Sequence, residues 1–175
     1  ELIKKSNEYY KIFIKEFGDS MFENINKLIN KIGEYDILIC NVLNVKKYNL
    51  NKPKVFKSES SYLKIKGLRN PIIVDQEKVC IKNDISLNEN GILLYGINSS
   101  GKSCLMKSIG INIILAQCGM YVFCDELEYS PYSAIFTRIS SQDNIYRGQS
   151  SFLKEMSELS NIMIKANNRS LVVGD

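Results

Sequence analysis

Eight consecutive residues near the middle of the chain carry the pattern of a phosphate-binding loop. Residues 96–103 read GINSSGKS, and the fixed positions of G-x-x-x-x-G-K-[ST] are filled by Gly96, Gly101, Lys102 and Ser103. Glycines allow the tight turn in which backbone N–H groups point at phosphate oxygens, and a following helix N-terminus adds positive potential. The lysine can reach the β- and γ-phosphates, and the serine hydroxyl can ligate Mg²⁺. The pattern therefore predicts a site for ATP and Mg²⁺.

The motif and the end of the chain also predict which residues bind the nucleotide and the metal ion. We expect Lys102 to be the catalytic group, because its ammonium would stabilise charge on the transferred phosphate. Hydrolysis also needs an acidic residue that helps to hold Mg²⁺. Asp175 follows the apolar run LVVG, where a Walker B aspartate is expected, although a surface carboxylate ending a strand is the alternative. The predicted metal ligands are Ser103 and Asp175, and the predicted ATP contacts of the loop are Gly96, Asn98, Ser99, Ser100, Gly101, Lys102, Ser103 and Cys104.

A phosphate loop of this kind needs a strand before it and a helix after it. Residues 91–95, GILLY, form a short apolar run typical of a strand buried on both faces, and this run leads directly into the loop. After the loop, apolar residues recur at helical spacing over 105–116 and predict a deeply buried helix. A second helix is predicted over about 151–166, followed by a strand at 171–173. This order predicts an α/β fold with a P-loop NTPase core of the ABC-ATPase kind.

The first part of the chain, residues 1–50, predicts a helical arm. A short helix is expected to end at Gly18, because glycine suits the C-terminus of a helix. A long amphipathic helix then runs from Asp19 to about Lys47, with a bend near Gly33.

Between the arm and the loop, the helical period is lost. Residues 51–61 predict a linker, and the nucleotide-binding domain is expected to span 62–175. Within it, alternating apolar and polar residues predict an edge strand at 62–65 and another strand at 79–87. Because the apolar pattern at the C-terminus stops on a carboxylate, we expect the chain to be a truncated piece of a longer protein.

Composition restricts the class of protein. The 175 residues carry a net charge of +4, with 24% charged and 45% hydrophobic residues, as in an ordinary folded domain. This charge is too small to indicate a dedicated DNA-gripping module. The five cysteines form no CxxC pair and there is no histidine, which argues against a zinc site and for free thiols in a reducing compartment. No signal peptide or membrane-spanning run is predicted.

With these elements in place, the sequence resembles the C-terminal ATPase domain of the MutS family of DNA mismatch-repair proteins. The resemblance covers nearly the whole chain. It is carried by GINSSGKSCLMKSIGINIILAQCGMYV at the loop, by YSPYSAIFTRISSQDNIYRGQSSFLKEMSEL after it, and by NRSLVVGD at the end. The IFTR run and the pattern D-x(4)-G-x-S-[ST]-F-x-x-E-M are far more specific than the loop. Upstream, LKIKGLRNP and KNDISL resemble the family's lead into this domain.

The resemblance implies roles for residues outside the loop. It implies that Ser150 reaches the nucleotide held by a partner subunit, in a homodimer or heterodimer with composite ATP sites. It also implies that Cys80 and Ile81 lie against the adenine of ATP, with a buried strand as the alternative. In such a protein, binding of ATP and Mg²⁺ alters the grip on mismatched duplex DNA, and the long helix resembles the lever that carries the change. The parts that hold DNA are largely absent from these residues.

The sequence also departs from the family's pattern. Asn70 stands where the family often has histidine, Asn144 stands where a second aspartate is common, and Gly174 is smaller than the usual residue. None of these changes removes a phosphate or metal ligand. The glutamate that commonly follows the Walker B aspartate is not among the 175 residues.

Two other functions stay open at this point. One is another ABC-like ATPase associated with chromosomes, a class that calls for an LSGGQ signature where this chain has GQSSF. The other is a module that binds ATP or docks a partner without hydrolysing the nucleotide. For the intact protein we expect ATP hydrolysis, in the intracellular compartment where DNA is replicated.

Overall fold

The computed structural model describes residues 1–76, 79–88, 91–138 and 151–174. The helices and strands among them are, in chain order, α1 (Leu2–Tyr48), β1 (Lys54–Val55), β2 (Leu63–Leu68), α2 (Pro71–Asp75), β3 (Asn83–Leu87), α3 (Lys102–Gln117), β4 (Glu126–Tyr129), β5 (Ala134–Arg138), α4 (Ser151–Lys165) and β6 (Ser170–Gly174). This mixture of helices and sheets confirms the predicted α/β class. The chain divides into two compact units, Glu1–Leu43 and Asn44–Asp175.

The arm consists of one uninterrupted helix. α1 runs through 47 residues, so the predicted stop at Gly18 is wrong. A glycine inside a helix costs only about 1 kcal/mol relative to alanine, and helical propensity on both sides of Gly18 offsets that cost. Large apolar side chains remain exposed along the helix, including Phe13, Ile25 and Leu38.

A four-stranded sheet lies at the centre of the second unit, in the order β1-β4-β2-β3. β2 pairs antiparallel with both β3 and β4, and β1 pairs parallel with β4. The predicted edge strand is therefore an interior strand. The alternation that suggested an edge reports only that one face of β2 is buried, with Leu63 and Ile65 inside and Lys64 outside. The strand predicted at 79–87 is confirmed only over Asn83–Leu87.

The core forms between this sheet and α3. One face of the helix is buried with Ile109 and Ile113, in a cluster with Leu63, Ile65 and Leu127 of the sheet. The prediction of a deeply buried helix holds for this face only, because Ile114 on the other side is half exposed. A helix that covers one sheet face buries a single stripe, whatever residues lie on its remaining surface.

A second, two-stranded parallel sheet is formed by β5 and β6, with Ile135 opposite Leu171 and Thr137 opposite Val173. The helix predicted near 151–166 and the strand predicted at 171–173 are confirmed as α4 and β6. The run at 91–95 is not a strand, and the Leu93 side chain is 88% exposed. A strand buried on both faces needs neighbours on both edges, and the described residues provide none for this run.

Among the helices that the structure describes, none is long and apolar enough to cross a lipid bilayer.

The end of α1 is held by an arginine at the end of β2. The Arg69 guanidinium donates hydrogen bonds to the carbonyl oxygens of Tyr48 (2.9 Å) and Asn49 (2.6 Å). Carbonyls at the end of a helix lack partners within it, so the cation satisfies them. The Tyr48 hydroxyl donates to the Asp75 carboxylate, and the Lys47 ammonium lies 3.7 Å from the same carboxylate. The hydrogen bond from Tyr48 and, to a smaller extent, the charge of Lys47 lower the pKa of Asp75.

A buried amide fixes α3 to the chain around it. Asn112 is fully buried, and its Nδ2 donates to the carbonyls of Ser108 (2.9 Å) and Arg69 (3.3 Å). Its Oδ1 accepts a hydrogen bond of 2.7 Å from the Phe123 backbone N–H. Every polar atom of this side chain therefore has a partner, as burial requires.

Replacing Asn112 tests the importance of this amide. Asn112→Ala would leave the Phe123 N–H buried without its acceptor, so we expect a loss of about 2–3 kcal/mol in the free energy of unfolding. Asn161→Ala, on the exposed surface of α4, is the matched control and should change stability by less than about 0.5 kcal/mol. Urea denaturation of both variants measures the difference. Equal stability of the two variants would contradict the structural role of Asn112.

The Asp75 contacts predict a dependence of stability on pH. Because the pKa of Asp75 in the folded protein lies below its ordinary value of 3.8, its stabilising contribution is complete above that pH and disappears as the pH falls through the lowered value. The difference in unfolding free energy between the wild type and Asp75→Asn should therefore be constant near neutrality and shrink below pH 3.8. Denaturation across a pH series measures this difference. A difference that does not vary with pH would show that the carboxylate charge is not involved.

Candidate functional site

The predicted phosphate loop forms the turn that leads into α3. Gly101 precedes the helix with φ +94°, in the left-handed region, and Ser99 also has a positive φ of 65°. Side chains other than glycine are strained in this region, which explains the glycine at position 101. At Gly96 an added Cβ would lie 3.2 Å from the Ser100 hydroxyl oxygen, a close contact that a small shift of the serine side chain would relieve.

The helix after the loop gives the turn its electrostatic character. α3 has 16 residues and begins at Lys102, directly after the left-handed Gly101. The first turn of a helix directs backbone N–H groups along its axis and carries partial positive charge. The N-cap residue, Gly101, has no side chain with which to cap this end of the helix. A group with anionic oxygens is therefore the ligand that this turn suits best.

The Lys102 ammonium lies over the loop itself. It donates hydrogen bonds of 2.9 Å to the carbonyl oxygens of Gly96 and of Ile97. These bonds hold the cation at the loop, where the sequence predicts that it meets phosphate oxygens. An anionic oxygen is a stronger acceptor for an ammonium than a backbone carbonyl is.

A cleft of about 460 Å³ opens beside the loop and brings most of the predicted ATP contacts together. It is lined by Cys80 and Ile81, which precede β3, and by Ser99–Lys102 and Cys104 of the loop and of the start of α3. Apolar side chains of Leu68, Ile73, Val79, Leu94 and Leu105 line the same space. The volume lies in the range of small-molecule sites, which combine apolar walls with a few placed polar groups.

A second hollow of about 400 Å³ lies on the loop and is lined by residues 98–104. It is lined by Asn98 and Ser103, two predicted ligands that do not line the larger cleft, whereas the predicted ligand Gly96 lines neither space. Ser150 and Asp175 lie outside the described residues, so their predicted roles stay predictions. In the part of the chain that the structure describes, no group of three or more Cys, Asp or Glu side chains is arranged to hold a metal ion.

Asn70 joins the segments of chain that line the cleft, a role that its type alone did not predict. Its side-chain oxygen accepts hydrogen bonds from the N–H groups at the start of α2, and its Nδ2 donates to the Ser108 hydroxyl of α3 (2.9 Å). Nδ2 also contacts Cys104 Sγ, and the backbone N–H contacts Cys80 Sγ, both at 3.3 Å. The signal available in the sequence was the Asn-Pro pair, which is typical of a helix N-cap followed by its first residue.

Comparison with known proteins relates this arrangement to a family. Residues 92–175 match the family described as MutS domain V. The mitochondrial DNA mismatch repair protein mutS homolog of Sarcophyton glaucum is 35% identical over 168 residues, which cover 93% of this chain and 17% of that protein. The DNA mismatch repair protein MutS of Petrotoga mobilis is 36% identical over 179 residues, which cover 97% of this chain and 22% of that protein.

A third relative gives the same result. The DNA mismatch repair protein MutS of Fusobacterium nucleatum is 37% identical over 166 residues, which cover 93% of this chain and 18% of that protein. The chain therefore spans about a fifth of the length of the relatives that it matches.

Two glycines of one helical segment test the loop conformation. Neither Gly101 nor Gly110 has an atom within 4 Å of an added Cβ, so space does not distinguish them. Gly101→Ala should destabilise the fold by about 1–2 kcal/mol, because only this position has a left-handed backbone. Gly110→Ala lies inside α3 and should stabilise it by about 0.5–1 kcal/mol. Thermal denaturation distinguishes the two, and an equal response of both variants would contradict the loop geometry.

Proposed function

Because the chain belongs to the MutS family of DNA mismatch-repair proteins, we propose that its second unit binds ATP and Mg²⁺ as part of the ATPase domain of such a protein. The observation that carries this proposal is the cleft. It combines the glycine-rich turn, the Lys102 ammonium and an apolar wall in one space of nucleotide size. The proposed core is that of a P-loop NTPase.

The nucleotide would lie along the cleft with its two ends in different surroundings. The β- and γ-phosphates would lie on the loop, where backbone N–H groups and Lys102 offer hydrogen bonds. The adenine would lie toward Cys80 and Ile81, which line the same cleft. This orientation places the negative phosphates against the N-terminus of α3 and the adenine ring against apolar atoms.

The chemistry that follows is transfer of the γ-phosphoryl group to water in the intact protein. Lys102 would stabilise the charge that develops on the phosphate oxygens. The Ser103 hydroxyl and the Asp175 carboxylate are the groups we propose to hold Mg²⁺, which when bound would supply positive charge to the phosphates. Ser150 would complete the site of a partner subunit in a dimer. Each subunit would then contribute residues to both composite sites of the dimer.

We further propose that the ATP-binding state controls the grip of the whole protein on mismatched duplex DNA. The relatives named above are DNA mismatch repair proteins, and each is about five times as long as the matched region. The DNA-holding parts would belong to that additional length, and the helical arm of residues 1–50 would connect them with the ATPase domain. A ligand shifts such an equilibrium only by its difference in affinity for the two states.

A lysine pair on α3 provides the test. Lys102→Ala should weaken ATP binding by at least about tenfold, or about 1.4 kcal/mol, because the only side-chain cation of the loop is lost. Lys107→Ala, an exposed lysine of the same helix, is the matched control and should bind ATP like the wild type. Isothermal titration calorimetry with Mg²⁺ and ATP measures both variants. Unchanged affinity in Lys102→Ala, with its fold intact by circular dichroism, would refute the proposed site.

A further inference from the structure

The helical arm carries a heptad repeat of apolar residues. Their positions alternate between steps of four and three residues, in the order Met21, Ile25, Leu28, Ile32, Tyr35, Ile39 and Val42. This average spacing of about 3.5 residues is the period of a coiled coil, in which a and d positions of the heptad abcdefg face a partner helix. Isoleucine fills the three a positions, and the other four residues fill d positions. We call these seven residues the seam.

The seam is exposed along its whole length. Each of its side chains has between 42% and 62% of its surface exposed. The seam lies in the first compact unit, Glu1–Leu43, which contains α1 and no second helix or strand, and all of whose residues the structure describes. A contiguous apolar surface of this kind marks a site of interaction with another molecule or segment.

The opposite side of the same stretch of helix is polar. Its b, c and f positions include Ser20, Glu23, Asn26, Lys27, Asn30 and Glu34. Lys27 forms an ion pair of 2.6 Å with Glu23 on this side, and Ile37 is its one large apolar residue. Because a single side of the helix is apolar, a single partner helix is sufficient to cover it.

The residues that flank the seam indicate the partner and its direction. In a parallel pair of identical helices in register, each g position faces the e position of the next heptad on the partner. The facing residues would be Lys31 with Asp36, Leu38 with Leu43, Phe17 with Phe22 and Asn24 with Ile29. The first pair joins opposite charges, the next two join apolar side chains, and only the last joins unlike groups. The flanks of α1 are therefore complementary to a second copy of α1.

We propose that α1 forms a parallel, two-stranded coiled coil with α1 of a second copy of this chain. β-branched residues at a positions are typical of parallel dimers, and all three a positions of the seam are isoleucine. From Met21 to Val42 the contact would be about 33 Å long, at about 1.5 Å per residue. The Lys31 ammonium lies 2.8 Å from Glu34 of its own helix and has further protons with which to reach Asp36 of the second copy.

This surface is independent of the proposed ATP site. None of the seam residues lines the cleft beside the phosphate loop. The proposal therefore does not rest on the proposed function, and its tests leave out ATP and Mg²⁺. Under these conditions a partner contact of Ser150 through bound nucleotide cannot contribute to association.

Sedimentation equilibrium of the reduced 175-residue chain tests the proposal. At chain concentrations rising to about 100 μM, the mass of the wild type should rise toward twice the 20.0 kDa of one chain. Ile32→Asp places a carboxylate in the seam and should weaken association at least about tenfold. Ile37→Asp is the matched control on the polar side, at 57% exposure against 58% for Ile32, and should associate like the wild type. A wild type that stays monomeric, or equal weakening by both variants, would overturn the proposal.

Charge reversal tests the register with variants that leave the seam intact. Lys31→Glu would face Asp36 of the second copy with a like charge, so association should weaken by about threefold. The double variant Lys31→Glu/Asp36→Lys restores opposite charges between the helices and should associate close to the wild-type level. Circular dichroism checks that helix content is equal in all three proteins. A double variant that associates no better than Lys31→Glu would overturn the proposed register.

A cysteine at the first residue of the seam tests the direction of the helices. Met21→Cys, in a chain whose exposed Cys40 and Cys118 are replaced by serine, should form a disulfide between two copies under mild oxidation. Facing d positions of a parallel pair bring the two cysteines close enough for this bond, whereas an antiparallel pair separates them. Glu23→Cys in the same background is the control and should form little disulfide. Equal cross-linking of the two variants would overturn the parallel alignment.

Discussion

The fixed position of α3 is the constraint on which the candidate site depends. The loop is the stretch of chain that enters this helix, so its backbone donors point wherever the helix axis points. Apolar contacts of Ile109 and Ile113 drive the helix onto the sheet, but such contacts are not directional. The buried amides of Asn112 and Asn70 add direction, because their hydrogen bonds join α3 to Phe123 and to the start of α2. Together they fix the rotation of the helix and hence the aim of its N-terminus.

The loop has a second source of order in its own lysine. The bonds from Lys102 to the carbonyls of Gly96 and Ile97 close the turn across six residues of chain. A phosphate would compete with these carbonyls for the ammonium, and charge-assisted bonds to anionic oxygens are the stronger ones. The net gain on binding is the difference between the two sets of bonds. A loop organised in this way needs little rearrangement to exchange the carbonyl bonds for bonds to phosphate. The conformational cost of binding is therefore small.

Local rules predicted the elements whose partners are close in sequence. The loop conformation at Gly101, the helices α3 and α4, and the strand β6 all follow from spacing and glycine placement. The errors concern long-range context. The alternation in β2 could not show that β4, more than sixty residues later, would pair with it. The apolar run at 91–95 would form a buried strand only if other strands flanked it. Sequence spacing does not show whether such strands are present.

The two ends of the cleft differ in how far the sequence alone predicts them. The end that we propose for the phosphates depends on backbone conformation, and a few fixed residues encode it, so a short motif is sufficient to predict it. The other end depends on Cys80 and Ile81, which reach the cleft only because β3 pairs with β2 and places the preceding segment beside α3. At this end the family resemblance indicated which positions would lie against adenine. It did not decide the role of Cys80, because its thiol is small. A short motif therefore predicts where phosphates would bind, whereas the composition of the wall at Cys80 and Ile81 depends on the pairing of strands that are distant in sequence.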